Sequence, residues 1–382
     1  MSTLDLLDRL IAFPTASRDP NRELIAFVQA FLGQHGIASE IIATPDGRKA
    51  NLFATIGPTD RPGIMLSGHT DVVPVEGQAW TADPFRLRVA DGRAYGRGAA
   101  DMKGFLAAAL ALAARAAARP LETPLHLALS HDEEVGCVGV RSLIERLSTA
   151  SVRPRLCIIG EPTSLRVATG HKGKLAARAT CCGVEGHSAL APKALNAIHL
   201  ACDFVGLLRT HQDRIAESGA RDADYDIPYT TLHAGIIAGG TALNIVPNRC
   251  TVDFEIRNIA QDDASEVLTR LLDDAAKLVA ERRAAFPAAD IAVEVVNDYP
   301  GLATPKEADV VAFVQALVDD ASTFKVAFGT EGGLFDARLS IPTVICGPGS
   351  MDQGHKPDEF IALDQLEACD RMMDRLLHRL AA

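Results

Sequence analysis

The sequence predicts an α/β protein of two domains, in which a small α+β domain is inserted into a larger α/β one. Three observations carry this. The chain has 382 residues, more than one core comfortably serves at roughly 100–200 residues per domain. Its flanks alternate short apolar runs with helical stretches, the pattern of a doubly wound sheet. Its middle follows the order β-α-β-β-α-β, the ferredoxin-like arrangement.

The elements follow in order. Residues 24–36 are predicted as a helix closed by glycine, and 63–68 as a buried strand. Residues 103–119 are alanine-rich, a strong helix former that Pro120 stops. A strand is expected over 125–130, a helix over 138–147 and an apolar strand over 155–160. Near the end, 341–346 reads as a strand and 363–380 as a closing amphipathic helix. In the middle, strands are expected over 174–184, 229–238, 249–256 and 291–296, with helices over 194–210 and 264–283. The larger domain is thus 1–173 with 299–382, and the insertion 174–298.

Composition narrows the function. Lys plus Arg number 38 against 49 Asp plus Glu, a net charge of −11. An acidic chain lacks the basic face that binds nucleic acid or anionic lipid, so neither partner is expected. No apolar run reaches the roughly 18 residues of a membrane span. The N-terminus shows no basic segment followed by an apolar stretch, and a cytoplasmic location is expected. The eight cysteines are scattered without a C-x-x-C pair, which suits buried free thiols in a reducing compartment. Adjacent Cys181 and Cys182 should face opposite sides of a strand.

In open α/β sheets ligands collect at the carboxyl ends of strands, and four predicted strands here end in polar clusters. His69-Thr70-Asp71 follows the first, His131-Asp132-Glu133-Glu134 the second and Glu161-Pro162 the third. Gly347-Pro348 follows the fourth, then Gln353-Gly354-His355-Lys356-Pro357. A fifth acid, Asp101, sits in the loop 96–104 before the long helix. Two histidines with three or four carboxylates suit a pair of borderline divalent ions such as zinc. His69 and Asp71 lie two apart on an extended segment, so the Asp71 carboxylate is expected to hold the far ring nitrogen of His69. Adjacent Glu133 and Glu134 cannot aim alike at one ion, which divides them into one ligand and one general base. Singly, each element is ordinary: a Glu-Glu pair is commonly a solvated helix start. Glycines 96, 98 and 104 follow no convincing strand and lack the P-loop lysine and serine, so no nucleotide loop is expected. Convergence of five clusters on one sheet edge makes the pattern specific.

Several longer motifs add to these clusters. They are Gly68-His69-Thr70-Asp71-Val72-Val73-Pro74, Tyr95-Gly96-Arg97-Gly98-Ala99-Ala100-Asp101-Met102-Lys103-Gly104 and Asp132-Glu133-Glu134. Gly160-Glu161-Pro162-Thr163, Gly186-His187-Ser188-Ala189 with Pro192, and His355-Lys356-Pro357-Asp358-Glu359 complete the set. With these the chain resembles, over essentially its whole length, the cocatalytic metallohydrolases. That family includes acetylornithine deacetylases, succinyl-diaminopimelate desuccinylases, aminoacylases and carboxypeptidase G. The resemblance implies a zinc-peptidase-like α/β catalytic domain whose insertion is a lid and dimerisation domain, and hence a homodimer. It implies two divalent ions, zinc with cobalt or manganese as alternatives. Asp101 would bridge them, His69 and Glu161 completing one site, Glu134 and His355 the other. It further implies a cis peptide between Asp101 and Met102, while Asp71 keeps the role of partner to His69 that its spacing gives it. Glu133 would activate the bridging water, and His187 would stabilise the oxyanion across the dimer. Asn244 and Arg257 match family positions that bind the substrate carboxylate.

The resemblance implies an N-acyl amino acid as the small-molecule substrate. The stretch 159–165 with Gly170-His171-Lys172-Gly173, and Phe328-Gly329-Thr330-Glu331, resemble the branch that removes acetate from N2-acetyl-L-ornithine. Gly332 stands where that branch often carries alanine. A Glu331 carboxylate would pair with the substrate's side-chain ammonium and repel a succinylated one; a turn-capping role is the ordinary alternative. A desuccinylase or broad aminoacylase remains the alternative activity. A non-catalytic binding protein on this fold would lack Glu133 or metal ligands, and all are present.

Overall fold

A computed structural model of the chain describes residues 1–381. It divides into two compact units, one of residues 1–170, 302–325 and 330 onward, the other of 171–301 and 326–329. Among the described residues no helix is long and apolar enough to cross a membrane.

The first unit is built on a nine-stranded sheet. Its order is Ser39–Ala43, Ala50–Ile56, Leu125–Ser130, Ile64–His69, Leu156–Pro162, Thr343–Gly347, Val167–His171 and Leu302–Ala303, with Thr323–Val326 beside Val167–His171. Leu125–Ser130, Ile64–His69, Leu156–Pro162 and Thr343–Gly347 run parallel to their neighbours in this group. They are buried at every position, which is why they read as unbroken apolar runs. Parallel strands finish on the same edge, so the polar clusters that follow them meet there. The helix Gly104–Ala117 packs against Thr3–Ile11 and Leu363–Leu380. Five of its eight alanines, Ala107, Ala108, Ala109, Ala113 and Ala116, are buried and let these layers approach closely. One expectation needs correcting: the glycine loop does leave a strand. Arg93–Tyr95 pairs with Arg88–Ala90 and Phe360–Ala362 in a separate three-stranded sheet, and three residues are too few to show periodicity.

The second unit holds a four-stranded antiparallel sheet in the order Thr231–Gly239, Arg249–Arg257, Lys174–Cys182, Asp290–Tyr299. Burial alternates strictly along Arg249–Arg257, so one face is covered, by the helices Ala197–Ser218 and Ala264–Arg283. Phe204 and Phe254 meet edge to face there, 5.5 Å apart. The first helix begins later and runs further than predicted. Asn196 caps it by accepting from the main-chain N–H of Ile198 and His199, and the helix runs on through Gly206 to Ser218. Thr231–Gly239 forms an outer edge, kinked by a bulge at Gly235, with Ile236 61% and Ile237 51% exposed. All eight cysteines are free; Cys181 is buried and Cys182 half-buried, while Cys202 is exposed, against the expectation of burial.

Candidate metal centre

His69 ends the strand Ile64–His69 and is buried. Asp101 lies in the tight turn Ala99–Lys103, entered through Gly98 at φ 84°, a conformation that favours glycine. The peptide between Asp101 and Met102 is cis. Asp101 Oδ1 stands 3.1 Å from His69 Nε2, and its Oδ2 3.2 Å from His355 Nε2. Glu161 Oε1 is 3.6 Å from the same His69 nitrogen, and Glu134 Oε2 is 3.0 Å from His355 Nε2. Five residues from five segments therefore converge, with Asp101 in the middle. Ligand atoms of His69, Asp101 and Glu134, and likewise of His69, Glu133 and Glu161, all lie within 4.8 Å of one another.

The charges explain what such a cluster wants. Burial pulls the Asp101 carboxyl upward, but hydrogen bonds to His355 and His69 outweigh it and hold it below its ordinary value. The hydrogen bonds that His355 donates to Asp101 and Glu134 push its own pKa up to about 10. Burial, then the charge of Asp101, raises Glu134 to about 7. Burial and neighbouring carboxylates drive Glu133 and Glu161 well above the carboxylate range. Acids this close repel one another unless protons or cations stand between them. Glu134 Oε1 is buried without a hydrogen-bond partner. An unpaired oxygen in a nest of N and O donors fits divalent ions of the borderline class.

Asp71 departs from expectation. His69 Nδ1 bonds to the main-chain carbonyl of Asp71 at 2.9 Å, while the Asp71 carboxylate stands 3.6 Å away. That carboxylate instead accepts from the main-chain N–H of Glu133 (3.1 Å) and Glu134 (3.3 Å) and from Ser17 Oγ (2.7 Å). The chain leaves the strand after His69, so strand alternation no longer governs residue 71. Asp132, with φ 56°, is tied to Lys49 and to His131, which withdraws it from the cluster. Two neighbours were not foreseen. Cys137 Sγ donates to Glu133 Oε1 at 3.3 Å, and Lys103, fully buried, donates to the carbonyl of Phe13 at 2.8 Å, burial lowering its pKa to about 7. Nothing in a lone G-C-V or a D-M-K stretch signals these roles. Glu331 heads the helix Gly332–Leu339, is 2% exposed, and its Oε1 has no hydrogen bond of good geometry. Burial raises it to about 7, against the pull of Ser130 and His69.

His187, Asn244 and Arg257 belong to the second unit. His187 is exposed, pairs with Ile245 across a two-residue ladder, and its Nδ1 accepts from Ala189 N at 3.1 Å. Ser188 N donates to the Asn244 carbonyl at 3.0 Å, so His187 and Asn244 are neighbours. Arg257 stands elsewhere, half-buried, bonded to Glu255 and to the Tyr299 hydroxyl at 3.0 and 3.2 Å. The ladder adjoins the Arg249 end of Arg249–Arg257, and Arg257 is its other end. Eight steps of about 3.4 Å separate the ends by about 27 Å, so one copy does not bring Asn244 and Arg257 together.

The fold and this arrangement of donors define a two-unit metallohydrolase of the zinc-peptidase type, and comparison with known proteins agrees. Residues 65–379 match the model of peptidase family M20/M25/M40, and the chain belongs to that family. It is 34% identical over 387 residues to an acetylornithine deacetylase of Pasteurella multocida (strain Pm70), covering 98% of this chain and 97% of that one. An acetylornithine deacetylase of Shigella sonnei (strain Ss046) is 33% identical with the same coverage. Among solved structures, the M20 family metallo-carboxypeptidase Sso-CP2 of Sulfolobus solfataricus superposes with a TM-score of 0.78 at 18% identity, over 100% of this chain and 99% of that one. The Bacillus subtilis YXEP protein, described as a dinuclear metal binding peptidase, gives 0.64 at 15% identity over 99% and 97%. At such identities the structures share the fold.

Proposed function

We propose that the chain is a two-metal amidohydrolase that converts N2-acetyl-L-ornithine to L-ornithine and acetate, in the cytoplasm and in the service of arginine synthesis. One observation carries it: the two oxygens of Asp101 face two different histidines, at 3.1 and 3.2 Å. His69, Glu161 and Asp101 would hold one ion; Glu134, His355 and Asp101 the other. Zinc is the proposed metal, with cobalt or manganese able to replace it. When bound, two such ions polarise an amide carbonyl and acidify an attacking water. Glu133 takes the water's proton and delivers it to the leaving amine. Asp71 fixes the main chain of Glu133 and Glu134, and Cys137 occupies one Glu133 oxygen, leaving the other for the water. The deacetylase identity of full-length relatives supports the substrate, and the unpaired Oε1 of Glu331 suits its ammonium.

His187 is proposed as the oxyanion donor, and Asn244 and Arg257 as carboxylate binders. Because one copy separates Arg257 from the other two, a homodimer is the assembly in which one substrate meets all three. The outer strand Thr231–Gly239, with Ile236 and Ile237 bare, supports a partner on that edge. The test is hydrolysis by purified, zinc- or cobalt-loaded protein of N-acetylornithine, N-succinyl-diaminopimelate and N-acetylmethionine. Preference for the first is expected; loaded protein that cleaves none refutes the proposal.

A further inference from the structure

Glu359 does none of the work described so far, yet it is 1% exposed and spends both carboxylate oxygens on the loop that carries Asp101. Oε2 accepts from Arg97 Nη1 at 2.8 Å and from Gly98 N at 3.0 Å. Oε1 accepts from Ala100 N at 2.9 Å and from Asp101 N at 3.1 Å. The Glu359 carbonyl accepts from Gly96 N at 2.9 Å. Arg97, also 1% exposed, turns the other way: Nη1 reaches the Lys356 carbonyl at 3.3 Å and Nη2 the Gln78 side chain. Gln78 Nε2 in turn donates to the His355 carbonyl at 3.1 Å.

We propose that the Arg97–Glu359 pair is a positioning device that sets the Asp101 turn and the His355 loop relative to each other. It rests on the two-metal reading above. The two halves of the cluster differ in what else supports them. His69 and Glu161 are buried residues of adjacent strands in the central sheet. His355 is 45% exposed by its side chain and adopts φ 61° in a loop; its main chain is held by Gln78, and Arg97 holds the next carbonyl. Asp101 serves both halves, but in one it is backed by two sheet residues and in the other by the His355 loop that the clamp also holds, so loss of the clamp loosens the Asp101–Glu134–His355 half more than the His69–Glu161–Asp101 half.

Glutamine is the discriminating substitution at 359. It keeps the shape but turns one of the two oxygens, each of which accepts two N–H donors, into a donor. The experiment titrates metal-free wild type, Glu359→Gln and Gln78→Ala with cobalt, following heat and visible absorption, with circular dichroism of the metal-free proteins alongside. Wild type should bind two ions. Glu359→Gln should weaken the first ion by less than about tenfold and the second by about 10–100-fold, as expected when outer partners of ligands are lost. Gln78→Ala, at a half-buried position, should shift the same ion in the same direction by less, and serves if Glu359→Gln does not fold. Equal weakening of both ions, or two ions bound as in wild type, overturns the clamp alone. A wild type that never holds a second ion overturns the two-metal reading and the clamp with it.

Discussion

Replacing Gly160 by alanine places a Cβ 2.0 Å from both Cγ and Cδ1 of Phe105. Carbon atoms rest about 3.5–4.0 Å apart, so the ring must withdraw by at least about 1.5 Å. It has nowhere to go: Phe105 is 1% exposed and is the second residue of Gly104–Ala117, the helix that follows the Asp101 turn. Overpacking of this kind costs about 1–3 kcal/mol. Removing the ring by Phe105→Ala costs about 3–5 kcal/mol through the cavity it leaves. If the collision is the whole cost of Gly160→Ala, the double variant is no less stable than Phe105→Ala alone, because the new methyl enters the vacated space. The coupling is then about 1–3 kcal/mol. Urea unfolding followed by fluorescence of Trp80, the only tryptophan, reads the first unit. Additive losses in the double variant would show that Gly160 is required for some reason other than Phe105.

The remaining predictions concern the base, a buried histidine and the pocket. Cys137→Ala removes a hydrogen bond that favours charged Glu133, so the acid limb of the pH–rate profile should move up by about half a unit to one, for a bond worth about 1 kcal/mol; Cys137→Ser should shift it less, and an unmoved limb refutes the contact. His126 is 5% exposed, stacks on Phe53 at 5.6 Å, shares Nδ1 with Thr55 at 2.9 Å and leaves Nε2 unpartnered. Burial lowers its pKa from 6.5 to about 4, so the unfolded chain takes up the proton first. Its contribution is full above pH about 6.5 and falls toward pH 4, by about 2 kcal/mol between pH 7 and 5; urea midpoints should show this slope in wild type and less of it in His126→Gln. Glu331→Gln should reduce hydrolysis of acetylornithine far more than of an uncharged acetyl-amino acid, and equal losses would remove the proposed selectivity.

Much of this was legible in the sequence because buried parallel strands write themselves as apolar runs. Where 64–69 and 156–162 stop, the first histidine and the first acid are His69 and Glu161, so the sheet edge can be read directly. What depends on turns was not legible. The Asp71 carboxylate caps Glu133 and Glu134 because the chain bends after His69, and alternation alone assigns it to the histidine ring. Glu359 stands out as one acid among 49 only once four N–H groups from 97–101 are seen to point at it. The separation of Asn244 from Arg257 was equally hidden, since thirteen residues of sequence distance say nothing about which ends of a strand they occupy.

The outer strand Thr231–Gly239 has a practical consequence for handling the protein. Natural edges are commonly guarded by lysine, proline or a sharp bulge; this one, Thr-Leu-His-Ala-Gly-Ile-Ile-Ala-Gly, has only the bulge and no fixed charge. Partial unfolding around this edge leaves a sticky ribbon open to indiscriminate pairing and precipitation. A lysine at Ile236 should therefore improve solubility at the same time as it weakens any specific pairing there, so yield alone would be a misleading guide to whether such a variant is sound.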